Sequence, residues 1–378
     1  MFNNFKKISK GLCAVLVLSL ASVGTAHAQL GDAGEILRGG ADDANTLLRS
    51  YLTPFGEGFG ANLNTGWFNQ AKAHGTLGFD ISVNAAVALV PSSDELFNVA
   101  DLGLTQLEIA SGSSPESPTI SGDDASTTTL ELNGTYQNPQ TGQTEEITLT
   151  QFDLPGGVGY PYVPSPMFQA TLGIIKDTDV TLRFVPETDI SAIDASVGLF
   201  GFGVKHGLNQ WLPGGKVLPV DISLQFGYTS FNANAGFDVE PETGGDIYNP
   251  FNESQWDGQG LDMETTATTI NAIVGKKLPF ISVYGGIGFE SSTTSITTTG
   301  FYPITSVNPA YNPQDNSEQT RQKIIEDLEA PIDFEIEGSN NMRAFVGARL
   351  SIAILRISAS YTLSNYSAAN IGVGFGFR

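Results

Sequence analysis

The C-terminal stretch NMRAFVGARLSIAILRISASYTLSNYSAANIGVGFGFR, residues 341–378, decides the fold. Met342, Ala344, Val346, Ala348, Leu350 and Ile352 alternate with Arg343, Gly347, Arg349 and Ser351. Leu355, Ile357, Ala359, Tyr361 and Leu363 alternate with Ser358, Ser360 and Thr362, and Ile371, Val373, Phe375 and Phe377 with Gly372, Gly374 and Gly376. A strand repeats its side-chain direction every second residue, so each run has one apolar face and one small or polar face. Several such runs in succession form the dyad pattern of a transmembrane β-barrel.

Working back along the chain, the same alternation occurs at residues 77–89, 168–174, 180–185, 195–204, 220–231, 265–274 and 280–296, which with the three C-terminal runs predicts ten strands. A weaker pair at 127–136 and 145–152, joined by the turn sequence Asn138-Pro139-Gln140-Thr141-Gly142, raises the count to twelve if it spans the membrane and leaves ten if it is a surface hairpin. The connections alternate in length. Segments 91–164, 232–262 and 297–341 are long and hold 26 of the 40 acidic residues. Lys176, Lys205, Lys216, Lys276 and Lys277 sit at the short connections. Outer-membrane barrels pair short periplasmic turns with long external loops, so the long segments are expected outside and both chain ends on the periplasmic side, with an even strand count.

A secreted β-sandwich also alternates, but its polar face meets water and favours Lys and Glu. Here the polar rows are mainly Ser, Thr, Gly and Asn, which suit a confined lumen. Phe168, Phe231, Tyr284, Tyr361 and Phe377 near strand ends are expected in interfacial girdles. Asp80, Arg183, Asp221, Glu290, Arg343, Arg349 and Arg356 fall on the non-lipid rows. An arginine facing lipid at mid-bilayer costs about 2–4 kcal/mol, so these seven are expected to line the lumen, as salt bridges or as a path for a solute.

The N-terminus supplies the compartment. Lys6, Lys7 and Lys10 precede an apolar run at 12–21, too short to cross a bilayer as a helix, and Ala26-His27-Ala28 has the form of a cleavage site. Residues 1–28 therefore read as a signal peptide, 29–72 as an N-terminal plug or cap, and 73–378 as the barrel. Cys13 is the sole cysteine and lies in the leader, so no disulfide or cysteine metal site is expected in the mature chain. That chain keeps 15 Lys and Arg against 40 Asp and Glu, a formal charge of −25, which argues against nucleic acid or an anionic membrane surface as a partner. Within 29–72, Ile36, Leu37, Ala41, Ala44, Leu47, Leu48 and Leu52 recur at helical spacing, and Pro54 with Gly56, Gly58 and Gly60 is expected to end the helix. The segment is too short for a domain, yet Leu47, Leu48, Phe55, Phe59 and Trp67 need a surface. The periplasmic mouth or lumen of the barrel is the nearest.

The stretches GFGVKHGLNQWLPGGKVLPVDISLQFGYT (201–229), VGARLSIAILRISASYTLSNYSAANIGVGFGFR (346–378) and LNTGWFNQAKAH (63–74) resemble an uncharacterised family of Gram-negative outer-membrane β-barrel proteins. More distantly, an N-terminal segment ahead of a barrel is similar in architecture to long-chain fatty-acid and hydrocarbon transporters, a likeness that implies up to fourteen strands. The chain departs from the usual barrel-assembly signal: Phe377 is penultimate and Arg378 comes after it.

Catalytic constellations are sparse. The mature chain has two histidines, His74 and His206, and a Ser/His/Asp arrangement would need one of them beside a serine and an acidic residue such as Asp80. The acidic stretch 238–262 lacks the spacing of a calcium loop. Gly56 to Gly60 lacks the Lys-Ser/Thr of a phosphate loop, and Gly198 to Gly203 alternates with Leu199, Phe200 and Phe202 as a strand does. No cofactor, metal or catalytic residue is expected. The sequence thus predicts an all-β, antiparallel transmembrane barrel with a helical plug or cap, contacting outer-membrane lipid and using its C-terminal strand for the assembly machinery. Its expected function is passive, channel-type passage of a small solute, a hydrophobic one among the candidates. A surface-interaction or structural protein is the main alternative, and a lipid-active enzyme the other.

Overall fold

The computed structural model describes residues 34–138, 140–190, 194–236 and 238–377. The expected signal peptide lies outside them.

Ten strands form one closed antiparallel meander: β1 (Phe79–Leu89), β2 (Tyr162–Gly173), β3 (Thr178–Ile190), β4 (Ala195–Gly207), β5 (Asp221–Gly236), β6 (Gly260–Lys277), β7 (Ile281–Thr299), β8 (Met342–Ile352), β9 (Leu355–Leu363) and β10 (Ala368–Phe377). Each strand pairs with the next, and β10 returns to β1 with Phe377 opposite Phe79 and Ala368 opposite Ala88. Closure removes the two terminal edges, as a sheet in hydrocarbon must. No helix among the described residues is long and apolar enough to cross a membrane.

The alternation has become inside and outside. On β10, Ile371, Val373, Phe375 and Phe377 are about half exposed while the glycines and Asn370 between them turn inward; on β7, Ile281, Val283, Ile287 and Phe289 face out and Ser282, Tyr284 and Glu290 are buried. A continuous outward band of this kind is the surface lipid covers. Tyr284 and Phe231 depart from the expected girdle. Each belongs to the inward row of its strand, where Tyr284 meets Phe68 and Phe231 meets Phe59.

The weaker pair of runs does not span. It is a surface hairpin, Thr129–Gln137 with Thr144–Asp153, extended by Leu107–Ile109 into a three-stranded sheet. Its alternation buries Leu130, Leu132, Leu149 and Phe152 in a protein core and not against lipid. The barrel therefore has ten strands, neither twelve nor fourteen, and one short strand outside it, Asp333–Glu337, adds to the upper part of β7. A second three-stranded sheet, of Ile247–Tyr248, Lys323–Glu329 and Phe301–Val307, completes a cap at the long-loop end.

The helix α1 runs from Ala41 to Asn64, straight through Pro54 and the glycines expected to stop it. A proline inside a helix costs about 3 kcal/mol, so burial on both sides of it must override that cost. Leu47, Leu48, Tyr51 and Leu52 bury in the cap core, and Phe59, Ala61 and Leu63 in a second cluster inside the barrel. The glycines are points of close approach. A Cβ at Gly58 would lie 2.8 Å from Val163 Cγ2, and one at Gly60 would collide with Ser292 Oγ.

The N-terminal segment occupies the lumen, one of the two places expected for it, but it begins at the long-loop end and not at the short-turn mouth. His74 meets Asp179 beside the short turn between β2 and β3, whereas Ile36, Leu37 and Leu47 pack among the long loops. Residues 41–74 traverse the whole lumen, so the start of the described chain and its C-terminal strand end on opposite faces. The strand count stays even because this passage adds one crossing inside the barrel.

The cap is fastened by Asp43, whose buried carboxylate accepts from the backbone N–H groups of Thr105 (2.7 Å), Gln106 (2.8 Å) and Leu107 (2.8 Å). Burial pushes this carboxyl up, but the N–H groups of Thr105, Leu107 and Gln106 more than offset it and hold the group below the ordinary Asp value of 3.8. Stability from this depressed group is present above pH 3.8 and is lost as pH falls through its folded value. Amide exchange at residues 105–107 should therefore accelerate below pH 3.8 in the parent, while Asp43→Asn should exchange rapidly at all pH values. For the barrel wall, Ile371→Arg on the lipid row should lower unfolding stability in phospholipid vesicles by about 2–4 kcal/mol, measured by urea titration.

Candidate functional site

Helix α1 ends inside the barrel, and its last carbonyls have no intrahelical partners. Arg183 of β3 donates through Nη1 to Leu63 O at 2.6 Å and through Nη2 to Thr65 O, while Nε reaches Gln169 Oε1 at 3.2 Å. Arg343 of β8 donates through Nη1 to Asn64 O at 3.0 Å and to Glu290 Oε2 at 2.7 Å, and its remaining face is taken by Asn271 Oδ1. Two guanidinium groups from different strands therefore cap one helix C-terminus, where the macrodipole favours positive charge. Both arginines are buried, so each requires these acceptors to offset desolvation.

Beyond the helix the chain continues as an extended strap. Gly66 has φ +71, a left-handed conformation that glycine adopts without strain, and turns the strap past Asn370. Trp67 is next, with the Arg183 guanidinium 3.7 Å above its ring and the indole laid on glycines of β4 and β5. A Cβ at Gly203 would be 2.7 Å from this ring and one at Gly227 2.5 Å. Phe68 packs edge-on against Tyr284 and Phe345. Arg349 donates to Asn69 Oδ1 at 2.9 Å and to Gln70 Oε1, Lys205 Nζ to Gln70 O at 3.0 Å, and Ser223 Oγ to Ala71 O at 3.0 Å. At the exit, Asp179 accepts from the His74 backbone N–H at 2.8 Å, lies 3.1 Å from His74 Nδ1, and pairs with Lys205 Nζ at 3.1 Å.

Of the seven charges read as inward, the structure brings Arg183, Glu290, Arg343 and Arg349 to the segment or to each other. Asp80 is buried 3.8 Å from Arg349, too far for a hydrogen bond. Asp221 and Arg356 sit half-buried at the short-turn mouth, where Arg356 donates to Ala353 O at 2.6 Å. The N-terminal apolar residues divide: Leu47 and Leu48 join the cap, Phe55 and Phe59 the upper lumen, and Trp67 the middle. Lys205 is inside β4 and buried, and not in the exposed turn where the loop reading put it. Asp179, Lys205, Gln169, Asn271 and Ser223 were missed as partners, although strand parity carried to the short-turn ends would have found them.

The strap interface is polar and incompletely paired. Asn62 Oδ1, Asn64 Oδ1, Trp67 Nε1, Asp80 Oδ2, Gln225 Nε2, Thr229 Oγ1, Arg349 Nε and Asn370 Nδ2 are buried without a protein hydrogen-bond partner. Buried polar atoms of this kind are places for bridging water. Among the described residues no group of three or more His, Cys, Asp and Glu could hold a metal ion. His206 is taken up by Thr178 and Trp211 at a short turn.

A closed ten-stranded barrel with an apolar outer band and an occupied lumen is an outer-membrane-type β-barrel. The chain belongs to the family described as "Family of unknown function (DUF6588)", whose profile matches residues 5–377. No curated protein matches it. Among solved structures it is similar to Ail, the attachment invasion locus protein of Yersinia pestis, at 9% identity over 80% of this chain and 100% of that one, with a TM-score of 0.24. It is also similar to the outer membrane protease OmpT of Escherichia coli (9% identity, 79% and 96%, TM-score 0.25). A triple mutant of the Rhodopseudomonas blastica porin gives 8% identity over 79% and 99%, with a TM-score of 0.17.

Replacing Gly227 with valine should push Trp67 from its seat. In a Trp211→Phe, Trp256→Phe background, Trp67 emission should shift to the red and become quenchable by acrylamide, with heat-modifiable migration of the barrel on gels unchanged.

Proposed function

We propose that this protein is an outer-membrane transporter closed at rest by its own N-terminal segment, which must shift for a small solute to pass. In this reading a signal peptide is cleaved after Ala28, the C-terminal strand engages the assembly machinery, and the long acidic loops face outward. The observation that carries it is the character of the seal. From Leu63 to His74 wall side chains donate hydrogen bonds to the segment's carbonyls, with unpartnered polar atoms between them, and apolar packing of the strap is confined to a small cluster of Phe68, Ala71, Ile273, Tyr284 and Phe345. Such bonds contribute only about 0.5–1.5 kcal/mol each net, or about 1.5–3 kcal/mol when charged, and water can replace them. An open passive pore does not fit a lumen occupied along its length.

The cap favours a second reading, a surface-interaction barrel. Its core joins α1 to three long loops through Leu47, Leu107, Leu130, Val239, Tyr302 and Phe334, which gives those loops a fixed shape suited to presenting a surface.

Planar-bilayer recording separates the two. The parent should insert and remain electrically silent, whereas Arg183→Met combined with Trp67→Ala should show stepwise openings and admit small dyes to cells. An inserted variant as silent as the parent would remove transport and leave the interaction reading.

A further inference from the structure

The outward rows of β3 to β7 change character at one height. Phe184, Phe200, Tyr228, Ile270 and Phe289, one on each strand, are exposed and close the apolar band. Above them the outward positions of β4 to β7 carry no large apolar side chain. Register sets Asn232 of β5, Glu264 of β6, Ser295 of β7 and Glu335 of the short outer strand in one row, and the rows directly above and below it contain only Ser, Thr, Asn, Asp and Glu. From Tyr228 to Asn232, and from Phe289 to Ser295, the usual rise and tilt of a barrel strand lift this face about 10–15 Å above the apolar band. A phospholipid head group occupies only about 5–8 Å beyond the hydrocarbon, so the face begins where such head groups end.

Within this face is a groove of about 510 Å³. One side of it is made by β3, whose bulge between Val185 and Thr188 carries Glu187 over Gly198 of β4; a Cβ at Gly198 would lie 3.7 Å from the Glu187 Cα. Asn232, Asp262, Glu264, Ser295 and Thr297 form the remainder. Asp262 accepts from Asn234 Nδ2 at 2.6 Å. Among the described residues, the side chains of Glu187, Asn232, Glu264, Ser295 and Thr297 make no hydrogen bond to protein. The lining contains no lysine, arginine or histidine. It offers carboxylate acceptors beside a carboxamide and hydroxyls that both donate and accept, the complement of a ligand rich in hydroxyl groups, and its charge repels phosphate.

We infer that this groove docks the saccharide head of a glycolipid in the leaflet at the long-loop end, a head of two or more linked neutral or amino sugars. Its acyl chains lie in the bilayer against Phe200, Tyr228 and Phe289, so the groove continues the interface that the outer band already makes with lipid. A phospholipid head stops short of the groove, and a phosphate raised to it would meet three carboxylates. A sugar hydroxyl donating to an ionised carboxylate forms a charge-assisted bond, roughly twice as strong as a neutral one. Docking requires only that the barrel sit in a bilayer, and is independent of the transport reading.

The test is photolabelling of the purified protein in phosphatidylcholine nanodiscs that contain a digalactosyl lipid with a diazirine on its terminal sugar. Phosphatidylglycerol with the diazirine on its head group, and free digalactose with the same diazirine, are the comparisons. Peptide mapping should find the digalactosyl lipid on Glu187, Asn232 and Glu264 about tenfold more densely than on Asn365, an exposed residue of the short β9–β10 connection, and about tenfold more densely than either comparison. Gly198→Leu fills the floor of the groove from an outward position and should remove this label, with heat-modifiable migration of the barrel unchanged. Equal labelling of Glu264 and Asn365 in the parent overturns the site, a result that stands even if the variant fails to fold. Equal labelling by phosphatidylglycerol overturns the head-group assignment, and equal labelling by free digalactose overturns the glycolipid in favour of a soluble glycan. A labelled groove in a protein whose conductance never rises would remove transport and leave the site standing.

Discussion

Everything in this barrel depends on the capture of one helix terminus by two buried arginines. Arg183 and Arg343 are withdrawn from water on the inner face of the wall, and the carbonyls of Leu63, Asn64 and Thr65 are withdrawn from water at the end of α1. Either set alone is costly in a confined space; together they satisfy one another, with Glu290 neutralising one of the two charges. The barrel cannot keep its inward arginines without the segment, and the segment cannot end its helix there without the arginines. This mutual need fixes the height of α1 in the lumen, and therefore what lies above and below it. Above are the apolar residues that build the core of the cap; below is the strap that leads to the His74, Asp179 and Lys205 contact.

The lumen contains two kinds of surface. Its upper half, around Phe59, Ala86, Ala88 and Met167, is apolar and packed. Its lower half has a small apolar cluster at Phe68, Tyr284 and Phe345, holds the strap by hydrogen bonds to backbone carbonyls, and leaves several polar atoms unpaired. The first binds the helix by exclusion of water and the second binds the strap by groups that water can replace, so the two halves differ in how readily they yield. The proposed release of the segment concerns the lower half.

The barrel was legible in the chain because alternation is a local property, and the outward rows of β7 to β10 obey it residue by residue. The same parity placed Arg183, Glu290, Arg343 and Arg349 on the inner rows. What the sequence concealed was where a local pattern meets a distant partner. The hairpin at Thr129–Gln137 alternates like a spanning strand because a cap core and a lipid bilayer ask for the same period. Pro54 and Gly56 to Gly60 look like a helix stop, and only the proximity of Val163 and Ser292 reveals that the glycines serve close packing. The side of the barrel on which the segment begins is set by no periodicity at all.

Residues 41–74 run through the lumen from the long-loop face to the short-turn face, and site-specific accessibility tests this path most directly. Asp42, Gln314 and Val217 are exposed, the first two at the long-loop end and the third at a short turn. With each changed singly to cysteine and the barrel inserted in one orientation, an impermeant maleimide applied from one side should label positions 42 and 314 together and spare 217. Labelling of position 42 together with 217, and not with 314, would contradict the account.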